Sequence, residues 1–123
     1  MLVISAIAVA GALGALSRYA ADRLIEHHVA TVFPWSTFVI NVTGCFAVGV
    51  VTAALVDRHH GPEWLRVGAV VGFLGAYTTF STFAQETHDL VDTHLTLALF
   101  NAAGSVAAGV AAVVLGLRLG RAL

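Results

Sequence analysis

Charged side chains are nearly missing from this 123-residue sequence: 11% of residues are Asp, Glu, Lys or Arg against 59% hydrophobic, and mean hydropathy is +0.89. Segments 1–17, 29–56, 67–85 and 95–117 hold no such charge at all. A soluble domain does not have that balance. Crossing a bilayer core takes roughly 20 apolar residues of helix, so the gaps in charge predict four membrane spans. They run over about 2–21, 35–56, 65–88 and 95–117. What stands between them is too short for a soluble domain, so residues 1–123 are expected to form a single four-helix unit. The apolar runs are continuous and do not alternate with polar residues, which excludes a barrel reading. There is no basic stretch ahead of the first run and three more spans follow it, so a cleaved leader is not expected.

Cysteine is almost absent too. Cys45 is alone, so the chain forms no internal disulfide, and its place inside the second span suits a small packing thiol. Basic residues never cluster, and the net charge is −1, which excludes a nucleic-acid partner. The pairs His27-His28 and His59-His60 fall in connections. Neighbouring helical residues diverge by about 100°, and no Cys or carboxylate completes a ligand set at standard spacing, so neither pair reads as a metal site.

Both prolines, Pro34 and Pro62, lie in connections, and Trp35 and Trp64 stand where interfacial anchors belong. Small residues recur four apart in Gly11/Ala15, Gly68/Gly72 and Gly104/Ala108, the spacing that lets membrane helices approach closely. Arg58, Arg66, Arg118 and Arg121 share one side of the membrane, and Arg18 and Arg23 the other. This bias weakly favours a cytoplasmic N-terminus.

The few polar groups at membrane depth carry the functional reading. Arg18 lies about a turn from the end of its span. It either snorkels to the headgroups or lines an aqueous vestibule that concentrates anions. No carboxylate is buried deep in a span, which argues against proton-coupled exchange of cations; Glu86, at the exit of span three, is the nearest candidate. Asn41, with Thr37 one turn earlier on the same face, is either glue between helices or part of a lined path. Asn101 and Ser105 repeat that spacing in span four, followed by Gly109. In GAYTTFSTFAQE (75–86), glycine and adjacent β-branched hydroxyl residues predict a helix break at about 75–79 and a restart capped by a hydroxyl. Unpaired carbonyls at such a break suit a small cation, and the restarted N-terminus suits an anion. Phe80 and Phe83 then share a face beside Ser81 and Thr82; such a pair ordinarily packs in a core, but the positive edges of the rings can also meet a small hard anion.

GALGALSRY (11–19), STFVINVTGCFAVG (36–49) and GFLGAYTTFSTF (72–83) together resemble, in order and position, the motifs of the bacterial Fluc fluoride channels, also called the CrcB family. The resemblance covers essentially the whole chain. It implies an all-α, multi-pass plasma-membrane protein of four helices, the third broken near its middle, paired antiparallel in a dual-topology dimer with two fluoride pores. The dimer would be a homodimer or a pair with a homologous subunit. By this resemblance Phe80 and Phe83 form the phenylalanine box, Asn41 lines the pore, and Arg18 guards the vestibule. Asn101 and Ser105 would continue a polar track, although the family often has Tyr at the place of Asn101 and a hydroxyl at that of Gly109. A structural sodium ion at the dimer centre would be held by the carbonyls of Gly75 and Thr78. The competing expectation is a proton-coupled small-molecule antiporter working through Glu86, and a third is a subunit active only with a homologous partner.

Overall fold

Charge-free runs of this length leave the backbone no partners but itself, and helices are the outcome. The computed structural model describes residues 1–57 and 61–123. Helix α1 spans Leu2–His28 and α2 spans Trp35–Val51, continued by a π-helical stretch, Thr52–Asp57. Helix α3 starts with Glu63–Val67, passes through a second π-helical stretch, Gly68–Leu74, and ends in the turn Gly75–Tyr77. After two extended residues α4 takes up Phe80–Val91, and α5 closes the chain with Leu95–Ala122. With α3 and α4 taken as one broken helix, four helices among the described residues are long and apolar enough to cross a membrane.

Helix α1 runs seven residues beyond the span read from the sequence, ending at His28 rather than about 21. Charge marks the edge of the hydrocarbon, whereas helical hydrogen bonds continue freely into the headgroup layer. There Arg23 and Glu26 pair at 3.4 Å one turn apart, and the helix stops where the Val29 amide donates to the Ile25 carbonyl at 2.8 Å. The return to α2 is pinned by Phe33, which is 8% exposed and packs edge-on against Trp35 and Phe100 with ring centroids 4.8 and 5.5 Å away.

Backbone-to-backbone packing organises the rest. Helix α1 lies on the π-helical part of α3, with Gly14 directly against the Phe73 carbonyl. A Cβ on Gly72 would stand 3.0 Å from that of Ala10. Gly68 and Gly72 thus serve the close approach their spacing predicts. In α5 the face used against α2 is a different one: Gly116 abuts the Phe46 carbonyl and Gly120 the Val50 carbonyl, while a Cβ on Gly104 would meet only Phe100 of its own helix. Substituting Gly116 by valine should force α2 and α5 apart at a cost of about 1–3 kcal/mol. The expected readout is a lower yield of monodisperse protein on size exclusion after membrane extraction.

Fully enclosed side chains are few, Ile40 and Asn101 being the largest, and most large apolar residues face outward. Lipid is as apolar as leucine, so an outward leucine costs nothing here. Outward polar groups do carry a cost, and they concentrate at the break between α3 and α4.

Candidate functional site

The break falls at Thr78 and Thr79, whose φ,ψ angles of −82°,158° and −147°,112° are extended. It lies at the C-terminal end of the window predicted from the sequence, because the turn Gly75–Tyr77 stays helical. Leu74 closes that turn by accepting both the Thr78 amide, at 3.1 Å, and the Thr78 hydroxyl, at 3.0 Å. Extended residues at membrane depth lose their helical partners, and Asn41 of α2 supplies replacements. Its Nδ2 donates to the Thr79 carbonyl at 3.0 Å, and its Oδ1 accepts from the Thr79 amide at 2.8 Å. The carboxamide acts as a strand partner for one residue. One turn along α2, Gly44 makes room for the Thr78 methyl group. Asn41 therefore holds the break in place, and it still has one amide N–H without an acceptor among the described residues.

Thr79 also caps α4, its hydroxyl oxygen accepting from the Thr82 amide at 3.3 Å and its proton going to the Thr82 hydroxyl at 2.9 Å. Two recesses meet at this residue. The first, about 140 Å³, is bordered by Arg18, Asp22, Thr37, Thr79 and Thr82, with Ala15 and Ile40 in its wall. Arg18 forms no ion pair with the described residues, so its field is not cancelled by a bonded carboxylate. Behind this recess Thr37, 3% exposed, donates to Glu86 Oε1 at 2.8 Å, while Oε2 is buried with no partner among the described residues.

The second recess, about 300 Å³, is a mainly apolar groove bordered by Asn41, Thr78, Thr79, Phe80, Phe83 and Ser105, with Cys45 in its wall. The rings of Phe80 and Phe83 stand 5.6 Å apart and tilted by 47°. Phe80 is 77% exposed on the subunit surface. Ser81 lies on the exposed side of α4 and borders neither recess. Asn101 is 1% exposed and enclosed between α4 and α5, so of the span-four pair only Ser105 borders the groove. Asn101 Nδ2 donates to the Thr87 hydroxyl at 2.8 Å, and Ser105 donates to Asn101 Oδ1 at 3.1 Å.

Gly75 and Thr78 satisfy the chemical condition for a hard monovalent cation. No donor among the described residues reaches either carbonyl, and Gly75, like Phe80, is exposed. Oxygen donors of this kind suit hard metal ions. Elsewhere, no group of three or more His, Cys, Asp or Glu gathers among the described residues. His28 Nδ1 lies 2.8 Å from the Leu24 carbonyl, and His59-His60 falls outside the described residues.

A sequence model of the family described as CrcB-like protein, Camphor Resistance (CrcB), matches residues 5–117. The chain belongs to the CrcB-like family. Among its relatives is a protein named fluoride-specific ion channel FluC from Hydrogenovibrio crunogenus, 38% identical over 98% of this chain and 92% of the relative. A protein of the same name from Acidobacterium capsulatum is 44% identical over 93% of this chain and 92% of the relative. A third, fluoride-specific ion channel FluC 2 from Nocardia farcinica, is 44% identical over 93% and 81%. With four membrane-capable helices, this member of the CrcB-like family is a multi-pass membrane protein.

Two parts of the candidate site were not read from the sequence. Thr87 drew no reading from the sequence, and only its place four residues after Phe83 hints at a role. Thr79 was read as part of a break, without the partner on α2 that makes the break stable.

Proposed function

We propose that this chain is one subunit of a fluoride-selective channel in the bacterial plasma membrane, giving passive fluoride export and fluoride resistance. The observation that carries the reading is the meeting of the Arg18 recess and the Phe80–Phe83 groove at the Asn41–Thr79 clasp, in a chain whose relatives are named fluoride-specific ion channels. Arg18 raises the local anion concentration. Beyond it, the Thr82 hydroxyl and the spare N–H of Asn41 offer donors, and the ring edges of Phe80 and Phe83 offer positive rims, in place of water, while Thr37 borders the recess with its own proton held by Glu86. Ser105 borders the groove with its proton held by Asn101, and Ser81, on the exposed side of α4, would reach a path only where a second subunit covers that face. Narrowness plus replacement of the hydration shell selects the smallest halide. Fluoride crosses into acidified cells as neutral HF, ionises inside, and leaves down its gradient, with no covalent step.

An antiparallel dual-topology dimer is supported by the open face. Phe80, Ser81 and the unpaired carbonyl of Gly75 are all exposed on one subunit, and hydrocarbon satisfies none of the polar groups. A second, inverted subunit covers them and gives two equivalent paths. The carbonyls of Gly75 and Thr78, doubled by that symmetry, would hold a structural sodium ion and neutralise oxygen crowding at the dimer centre. The second subunit is either another copy or a homologous chain of opposite orientation.

Reconstitution decides between these forms. The protein alone should release fluoride from liposomes if the homodimer is the working unit; release only after mixing with a homologous partner assigns it a heteromeric role. The orphaned Oε2 of Glu86 favours one other reading, a proton-coupled antiporter. Acid-driven uptake of a cationic dye, abolished by Glu86→Gln, would replace the channel reading with that one.

A further inference from the structure

The enclosed carboxamide of Asn101 is not itself at the groove, yet it ends on a residue that is. Its hydrogen bonds form a directed chain: Ser105 Oγ donates to Asn101 Oδ1 at 3.1 Å, Asn101 Nδ2 to Thr87 Oγ1 at 2.8 Å, and Thr87 Oγ1 to the Phe83 carbonyl at 2.7 Å. Thr87 has one hydroxyl proton and commits it to Phe83, so its oxygen only accepts. Asn101 must then present its N–H to Thr87, which turns its Oδ1 to Ser105. Each link sets the direction of the next.

The geometry points to Asn101 and Thr87 as positioning residues that register Phe83 for anion passage. This rests on the reading that Phe83 borders the fluoride path. Helix α4 has only 12 residues, and it is joined to α2 mainly through the Thr37–Glu86 and Asn41–Thr79 bonds. Its remaining support is α5. Apolar contact is non-directional and leaves rotation about the helix axis soft, whereas a directed chain ending at the Phe83 carbonyl does not. With side chains reaching about 5–6 Å from a helix axis, a 10° rotation moves a ring edge by about 1 Å. Displacement of that size degrades a site that works by oriented contacts.

The test measures fluoride efflux from proteoliposomes made only from the monodisperse size-exclusion peak, with the melting temperature of each protein recorded. Thr87→Val and Asn101→Ala should each slow efflux about tenfold, Thr87→Ser should retain most of the rate, and the Thr87→Val/Asn101→Ala double variant should be no slower than the slower single one. The loss should exceed anything the change in melting temperature accounts for. Wild-type rates in both single variants, equal loss in Thr87→Ser, or losses that multiply in the double variant would each overturn the inference. Should Thr87→Val yield no folded peak, Asn101→Ala against wild type decides alone. Failure of the unaltered protein to release fluoride defeats the channel reading instead, and is seen before any variant is compared.

Discussion

Fluoride efflux through Phe83→Ile is expected to fall about a hundredfold, equivalent to roughly 2.7 kcal/mol of barrier, with the protein still folded and assembled. Isoleucine fills much of the ring's space but has no quadrupole, so it offers the anion only dipole-free C–H surface where a positive ring edge stood. The phenylalanine pair is 5.6 Å apart at 47°, neither stacked nor perpendicular, and both residues border the groove. A ring serving only as packing would show the opposite pattern: unchanged efflux and a lower melting temperature. Size exclusion and melting, measured on the protein used for efflux, separate these outcomes.

The second large effect is expected at Asn41. Asn41→Leu conserves volume but removes both partners of Thr79, leaving its half-buried N–H and carbonyl without a protein partner. An unsatisfied buried group costs about 1–3 kcal/mol each, and the helix break has no other anchor on α2 of that strength. Efflux should become undetectable, and melting should drop together with it. That pairing distinguishes Asn41 from Phe83, because the asparagine both holds the break and lends one donor to the path. Retained stability with lost efflux would mean that it is a path donor alone.

These two residues also show how far the sequence could be read. The four spans were legible because charge is expensive in hydrocarbon, and its absence over 1–17, 29–56, 67–85 and 95–117 leaves little choice. The break was legible from Gly75 and the paired threonines, though it falls at its last two residues, where Leu74 can still close a turn onto Thr78. For Asn41 the sequence left glue and path both open, since a carboxamide on a helix face states its needs without naming its partner. The π-helical stretches at Thr52–Asp57 and Gly68–Leu74 were not legible, because a widened turn arises from neighbouring helices and leaves no period of its own. Gly104 and Ala108 carried the same spacing as Gly68 and Gly72, yet α5 packs on α2 through Gly116 and Gly120, since spacing alone does not say which face meets a neighbour. Asn101 looked like a step on a polar stripe. Its role depends on Thr87, fourteen residues earlier on another helix, a pairing that helical periodicity does not contain.

The most direct measurement is simultaneous release of fluoride and chloride from liposomes loaded with equal concentrations of both and carrying the assembled protein. Rapid fluoride release with chloride retained is the predicted result. Release of both anions at similar rates, or of neither despite a folded dimer, would contradict the account.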